Sequence, residues 1–226
     1  MKKQATCLLS VISIVCLGVG NALAAEIKPI VPNDTFYSYE WEMDEIHAPE
    51  AWAEATSSGR DVIVAVIDSG MDETHPDLKG ILWTNPNDPT DGKDNDNDGY
   101  IDDTHGWNFA NNTSSTRPMN GSLTGEDSWD HGTIVASLIA ARGNDDIGIA
   151  GMAWKTKIMP LVILDTSGYG GTDRLAKAIK YATDHHADII NLSLEGNSFD
   201  QQVADQIKMA TAKGDIGCDR CRQWRS

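Results

Sequence analysis

The sequence predicts an α/β fold, a doubly wound parallel sheet with helices on both faces. Three apolar segments rich in β-branched residues lie at 62–68, 157–165 and 187–194, and helical patterns lie between them. Strands that are apolar on both faces are typical of parallel sheets, because helices then cover both sides. Ligands of such sheets bind at the carboxyl ends of the strands, where Asp68 and Ser193 lie.

The first predicted helix precedes the first strand. An extended segment from Asn33 leads into a short helix at 48–53, and a helix-breaking turn at 57–59 separates that helix from the strand. Residues 84–128 follow as a long polar insert rich in Asn, Asp, Gly, Ser and Thr. Loops of this length are uncommon unless they carry function or bind something, so we expect a ligand in the insert.

Two further helices are predicted in the second half of the chain. Residues 172–186 have apolar side chains on one face, and Thr172 is the expected N-cap. The pair His185 and His186 is expected to lie in solvent at the end of this helix. Another helix is expected at 199–213, ended by the glycine that follows it.

The net charge argues against two classes of binding partner, and the positions of the cysteines argue against stabilisation by disulfides in the body of the chain. The chain has 34 acidic and 18 basic residues and a formal net charge of −16, so nucleic acid and anionic membrane surfaces are poor partners. Its four cysteines lie near the two ends, at 7, 16, 218 and 221. Without a disulfide framework, the body of the chain must be stabilised by its core or by bound ions.

The acidic residues concentrate in a loop at 94–103 with the sequence DNDNDGYIDD. Carboxylates at alternate positions, followed by a glycine that permits a sharp turn, suit the many oxygen ligands of calcium. An EF-hand loop has Glu at its twelfth position, where this chain has His105, so we expect an isolated structural calcium loop. A solvated acidic loop is the alternative. The candidate ligands are Asp94, Asp96, Asp98, the Tyr100 carbonyl oxygen, Asp102 and Asp103.

The first 25 residues have the pattern of a cleaved signal peptide. Two lysines precede an apolar stretch from about residue 7 to 19, and the sequence Ala-Leu-Ala at 22–24 supplies a cleavage site. The apolar stretch is shorter than the ~20 residues that span a bilayer, which argues against a membrane anchor. We expect export to the periplasm or the extracellular space, with no membrane association after cleavage.

Two motifs carry the chemistry. The first joins Asp68-Ser69-Gly70 to His75-Pro76-Asp77-Leu78, and the second is His131-Gly132-Thr133 at the start of a predicted helix. In type, order and spacing they resemble the aspartate and histidine motifs of the subtilase family of serine endopeptidases. The resemblance implies peptide-bond hydrolysis by an Asp-His-Ser triad, in which His131 is the general base and Asp68 orients it.

The resemblance extends over about residues 33–216. The sequence Asn-Leu-Ser-Leu-Glu-Gly at 191–196 resembles the family's strand that pairs with the substrate backbone. It implies that Ser193, Leu194 and Gly196 bind a polypeptide substrate. The family more often has glycine at the position of Glu195, so the shape of the specificity pocket is not carried over.

The third member of the triad has no counterpart in the 226 residues. No serine lies in a Gly-Thr-Ser-x-Ala sequence, and the turn with the oxyanion asparagine is also lacking. We therefore expect the C-terminal third of the domain to be missing and the chain to be inactive alone, since triad members act as a unit. An exported protein that binds peptides or calcium without catalysis is the alternative function.

Residues 217–226 differ in composition from the rest, with three of the seven arginines and two of the four cysteines. If the coding sequence is read in a shifted frame from the second base of the Gly217 codon, the possible codons permit a segment rich in Val and Ala that ends in Asn/Ser-Gly. A subtilase has a strand of this kind at this position. We expect that a one-base slip near codon 216 produced an out-of-frame tail. A genuine short paralogue with its own terminus is the alternative.

Overall fold

The architecture is known from a computed structural model that describes residues 28–55, 61–119, 130–194 and 199–214. Two single-turn 3-10 helices, Tyr37–Tyr39 and Pro76–Leu78, accompany the main elements. In chain order those are α1 (Trp41–Glu45), α2 (Ala48–Ala55), β1 (Ile63–Asp68), β2 (Trp107–Asn108), α3 (His131–Ala140), β3 (Lys157–Val162), α4 (Thr172–Asp184), β4 (Ile189–Asn191) and α5 (Gln201–Lys213). Among the helices in these ranges, none is long and apolar enough to cross a membrane.

The four strands form one parallel sheet in the order β2-β3-β1-β4. The central strand β1 pairs on one side with β3, where Ala65 lies opposite Met159, and on the other side with β4, where Ala65 lies opposite Ile190. Every crossover between paired strands runs through helical segments, as the alternation of elements predicts. The α/β fold class is confirmed.

The alternation of side chains along β1 divides the core into two layers. Ala65 and Ile67 face a cluster that contains residues of α4 and α5, such as Ile179 and Val203. Val64 and Val66 point the other way, into a second cluster with residues of α3. Because successive side chains of a strand point to opposite faces, helices must cover both sides of this apolar strand.

The element bounds differ from the sequence prediction in several places. The strands are shorter than predicted, since β3 ends at Val162 and β4 covers only 189–191. Thr172 is the first residue of α4 and not its N-cap, which is Gly171. The start of α5 moves to Gln201 because the Asp200 carboxylate accepts hydrogen bonds from the backbone N–H groups of residues 202 and 203.

The N-terminal segment is more structured than predicted. Helix α1 was not expected, and a third cluster packs Met43, Trp52 and Ala150 together, with the Trp52 and Trp154 rings 4.8 Å apart. The Trp52 indole N–H donates to the Met152 carbonyl oxygen at 2.8 Å. Strand β2, inside the polar insert, was also missed, because two residues carry no periodic signal.

Candidate active site

Asp68 and His131 lie in contact at the carboxyl end of β1. The His131 ring nitrogen Nδ1 lies 2.9 Å from Oδ1 and 2.8 Å from Oδ2 of Asp68. A carboxylate accepts, so this contact places the proton on Nδ1 and leaves Nε2 as the basic nitrogen. The Asp68 side chain is 1% exposed and that of His131 is 43% exposed, so a reactant can reach the imidazole but not the carboxylate.

Glycines permit this approach of helix α3 to strand β1. A Cβ atom on Gly132 would lie 2.3 Å from the Gly70 carbonyl oxygen and 3.1 Å from the Asp68 Cβ. Gly70 itself has φ +108°, and a Cβ there would lie 2.7 Å from the Thr116 carbonyl oxygen. The Gly132 N–H donates to the Ser69 hydroxyl oxygen at 3.0 Å, which fixes the first turn of α3 against the end of β1.

The segment His75-Pro76-Asp77-Leu78 connects backbone segments next to the Asp68–His131 pair. Asp77 is buried, its Oδ2 accepts from the Ile149 N–H at 3.0 Å, and its carbonyl oxygen accepts from the Arg142 N–H at 3.2 Å. Burial raises the pKa of Asp77, against a lowering by the Ile149 hydrogen bond. Leu78 packs in the cluster under α3. This motif therefore ties the segment after α3 to the turn after β1, while His75 stays exposed.

The predicted substrate residues follow β4, the strand beside β1. Val66 of β1 pairs with Asn191, so Asp68 and Ser193 each lie two residues beyond a paired position at the same edge of the sheet. Ser193 is exposed and its hydroxyl oxygen accepts from the Asn191 side-chain amide at 3.1 Å. Leu194 packs partly buried against the main core, and Gly196 lies outside the described residues.

Comparison with known proteins decides the family. The model of the subtilase family, peptidase S8, matches residues 59–218. This chain belongs to the subtilase family. Asp68 and His131 both lie within the matched range, on the two motifs that the sequence analysis assigned to subtilases.

Individual relatives agree with this assignment. Thermitase of Thermoactinomyces vulgaris is 33% identical over 186 residues, which are 82% of this chain and 55% of thermitase. Subtilisin-like protease 1 of Plasmodium berghei is 34% identical over 175 residues, 75% of this chain and 27% of that protein. A solved protease from Pseudoalteromonas arctica superposes with a TM-score of 0.63 at 27% identity, over 83% of this chain and 57% of that one. The subtilase chain thus spans about half the length of thermitase and less of the Plasmodium protein.

The acidic loop of this subtilase has an ordered internal structure. The Asp94 carboxylate accepts from the Asp98 and Gly99 N–H groups at 3.2 and 2.9 Å, and Asp98 accepts from the Tyr100 N–H at 2.9 Å. Gly99 has φ +98°, the left-handed region that the sharp turn requires. In Asp102 the Oδ1 atom instead accepts from the N–H groups of residues 91 and 92.

The remaining predicted ligands surround a histidine that sequence reasoning assigned to solvent. His185 has a side chain only 11% exposed, and its Nε2 lies 3.9, 3.4 and 3.7 Å from Oδ2 of Asp96, Asp98 and Asp103. The expectation for His185 was therefore wrong, whereas His186 is exposed. The acidic loop folds onto the end of α4, a contact for which neither segment carries a local signal.

Buried hydrogen bonds hold Asp103, one of the three carboxylates around His185. Asp103 is fully buried and accepts from the Tyr181 hydroxyl and from the Asn85 side-chain amide, the latter at 2.7 Å. Burial raises the pKa of Asp103, and burial also raises the pKa of Asp98 to about 6. Asn85, Tyr181 and a further buried carboxylate, Asp88, were not among the predicted site residues, because isolated polar residues give no pattern in the sequence.

Proposed function

We propose that this chain carries the aspartate and histidine of a secreted subtilisin-like serine endopeptidase, and that the 226-residue polypeptide does not hydrolyse peptide bonds alone. The hydrogen bond of His131 Nδ1 to Asp68 supports this proposal most directly. With Nδ1 fixed as the donor, Nε2 can take the proton of an attacking serine hydroxyl. The buried Asp68 carboxylate then stabilises the imidazolium that forms.

The nucleophile is the part of the mechanism that the 226 residues do not supply. A catalytic serine must come within hydrogen-bond reach of the basic nitrogen, about 2.6–3.2 Å. No serine of the chain lies in a Gly-Thr-Ser-x-Ala sequence, and Ser69, which follows Asp68, accepts from the Gly132 N–H. Without an acyl-enzyme, the pair can only orient water, which gives a small remnant of the full rate.

The substrate class that we propose is polypeptide. The segment after β4 would pair with an extended peptide through Ser193, Leu194 and Gly196, as the family resemblance implies. Supporting this, Ser193 lies at the same sheet edge as Asp68, so a peptide running past Ser193 would bring its scissile bond towards the catalytic pair.

We further propose a structural calcium ion in the acidic loop. The carboxylates of Asp94, Asp96 and Asp98 with the Tyr100 carbonyl oxygen would be its ligands, and the ordered turn at Gly99 supports this. Asp102 and Asp103 are the remaining candidate ligands of the same loop. The calcium ion would neutralise the negative charge of the acidic loop, and it would thereby help to stabilise a chain that has no disulfide framework. Export through residues 1–25, which lie outside the described residues, completes the proposal.

A chimaera tests the catalytic proposal. The full chain is tested with a fluorophosphonate probe, both as it is and after its tail from residue 217 is replaced by the serine-bearing segment of thermitase. We expect no labelling of the chain itself and labelling of the chimaera, lost in Asp68→Asn and His131→Ala but kept in the control His75→Ala, whose side chain is exposed. Labelling of the unmodified chain, or labelling of the His131→Ala chimaera at the parent rate, would overturn the proposal.

A further inference from the structure

Residues 165–171, which we call the β3 loop, border a crevice at the end of β1. The chain after β1 turns to the face of the sheet that α3 covers, since Met71 and Leu78 lie in the cluster there. The chain after β3 turns to the opposite face, where Leu164 packs against the main core. Strand connections that leave in opposite directions open a crevice, and parallel sheets bind ligands in such crevices. Asp68 lies on one side of this crevice and the β3 loop on the other.

Two backbone hydrogen bonds tie the chain at the start of the β3 loop to Asp68. The N–H groups of Ile163 and Leu164 donate to the Asp68 carbonyl oxygen at 3.0 and 3.5 Å. They extend the pairing of β1 with β3, which ends at Asp68 and Val162. A side chain on the β3 loop is therefore held in a defined place relative to the Asp68–His131 pair.

The Asp165 carboxylate closes the β3 loop from within. Its Oδ1 accepts from the Ser167 hydroxyl at 2.6 Å, from the Ser167 N–H at 3.0 Å and from the Tyr169 N–H at 3.2 Å. The Asp165 N–H in turn donates to the Tyr169 carbonyl oxygen at 3.1 Å. The hydrogen bond from the Ser167 hydroxyl is the main cause that lowers the pKa of Asp165 to about 2. The carboxylate is thus ionised at neutral pH and keeps these donors.

Arg174 of α4 joins the β3 loop to the helix. Its Nη1 lies 3.2 Å from each of three acceptors, which are Oδ2 of Asp165 and the carbonyl oxygens of Ile163 and Tyr169. A guanidinium stays charged and has several donors in a fixed plane, so it suits a junction of this kind. Both backbone polar groups of Tyr169 are therefore engaged, and the position of this residue is fixed.

The ring of Tyr169 remains open to a ligand although its backbone is fixed. Tyr169 is 67% exposed. The glycines that follow it leave space beside the ring, since a Cβ on Gly171 would have the Tyr169 Cε1 atom at 3.9 Å as its nearest neighbour. Gly170 packs so closely that a Cβ there would lie 2.9 Å from the Leu164 Cδ2 atom. A rigid aromatic side chain supplies a large contact area at a low cost in conformational entropy.

We propose that Tyr169 contacts an apolar side chain of the polypeptide substrate, and that Asp165 and Arg174 are positioning residues that hold Tyr169 at the crevice. The inference rests on the proposed function, because it takes a polypeptide as the ligand. A peptide that runs past Ser193 towards Asp68 would next meet the β3 loop, since β1 lies between β4 and β3 in the sheet. Tyr169 thereby determines specificity on the side of the crevice opposite to Ser193.

Peptide binding to the full-length chain tests the contact. Fluorescence anisotropy compares two labelled eight-residue peptides, one of alternating Gln and Phe and the other of alternating Gln and Ala. The alternation makes the result independent of the register in which the peptide binds. We expect the parent to bind the Phe peptide more tightly by roughly two- to tenfold, the range of a single aromatic contact.

Variants of Tyr169 decide whether its ring gives this preference. Tyr169→Ala should lose the preference for the Phe peptide, and Tyr169→Phe should keep it, because the ring is retained. The matched control is Tyr39→Ala, since Tyr39 is 78% exposed and lies in the 3-10 helix before α1. It should bind both peptides as the parent does.

Variants of Arg174 test the positioning role. Arg174→Ala keeps the ring but removes the donor to the Tyr169 carbonyl oxygen, so it should reduce the preference. Arg174→Lys should restore part of it, because an ammonium group can still donate to Asp165. The control Lys177→Ala removes an exposed ion pair with Asp173 on the same helix and should leave the preference unchanged. Melting temperatures ensure that affinities are compared where every variant is folded.

Several results would overturn the proposal: equal affinities of the parent for the two peptides, no binding of either peptide, or equal effects of Tyr169→Ala and Tyr39→Ala. If Arg174→Ala binds as Lys177→Ala does, the positioning role is wrong. The proposed function is decided separately, by fluorophosphonate labelling of the chimaera. Labelling without peptide discrimination would contradict only the role of Tyr169.

Discussion

Two regions of this subtilase place an imidazole against carboxylates, and they do so in opposite orientations. In the Asp68–His131 pair, Nδ1 of His131 faces Asp68, and the half-exposed ring leaves Nε2 for a reactant. In the acidic cluster, which we define as Asp96, Asp98 and Asp103 around His185, Nδ1 of His185 faces a backbone carbonyl oxygen and Nε2 faces the carboxylates. The same residue types thus leave a ring nitrogen open to a reactant in one place and enclose it among carboxylates in the other, depending on which nitrogen the protein fixes.

The largest effect is expected at Gly132, where the close approach of α3 to β1 allows His131 to contact Asp68. Gly132→Val should lower the free energy of unfolding by more than about 3 kcal/mol, because its side chain would overlap the Gly70 carbonyl oxygen. Urea unfolding measures the change. The control Gly171→Ala adds a Cβ whose nearest neighbour is a Tyr169 ring atom at 3.9 Å, and it should cost far less. Equal losses in the two variants would show that close approach is not what the pair requires.

The acidic cluster is expected to be more important for stability than the Asp68–His131 pair. Asp103→Ala should cost about 2–3 kcal/mol, because it leaves the Tyr181 hydroxyl and the Asn85 amide without their buried acceptor. Asp68→Ala should cost less, about 1–2 kcal/mol, because it takes the acceptor only from the buried Ser69 N–H, while the half-exposed His131 can bind water instead. Denaturant unfolding of both variants tests this ranking. The reverse order would mean that Asp68 has a larger structural role than these two contacts indicate.

The pH dependence of stability tests the buried carboxylate beneath the catalytic motif. Burial raises the pKa of Asp77 in the folded state above its ordinary value of 3.8. The stabilising contribution of Asp77 to the free energy of unfolding is therefore fully present below pH 3.8, and it is lost as the pH rises through the pKa of the folded state. We expect Asp77→Asn to remove this decline, seen as a smaller fall in melting temperature from pH 4 towards neutrality. A profile parallel to that of the parent would contradict the assignment.

The smallest effect on stability is expected at the proposed substrate strand. Ser193→Ala removes only an exposed hydrogen bond to Asn191 and should change the free energy of unfolding by less than about 0.5 kcal/mol. Thermal unfolding checks this. A loss above about 1 kcal/mol would indicate that Ser193 is a structural residue and would weaken its proposed role in peptide binding.

Local patterns were sufficient to predict the fold class and to single out Asp68 and His131, which the structure places in contact. The apolar strand ending at Asp68 and the small-residue helix beginning at His131 each carry their signal within about ten residues. The pattern also predicted both long helices, although α5 begins two residues later than expected, since Asp200 caps it. The end of β4 could not be predicted because strand length depends on the neighbouring strand, which the periodicity does not describe.

The sequence alone determined the α/β architecture, the subtilase motifs and the concentration of acid in one loop, because periodicity, turn residues and charge are local properties. Only the tertiary structure decided that His185 faces Asp96 and Asp98, and that Asp103 is buried beneath Tyr181. These contacts join segments more than 70 residues apart. Their formation depends on how the polar insert packs against the end of α4, and packing between distant segments leaves no periodic trace in either of them.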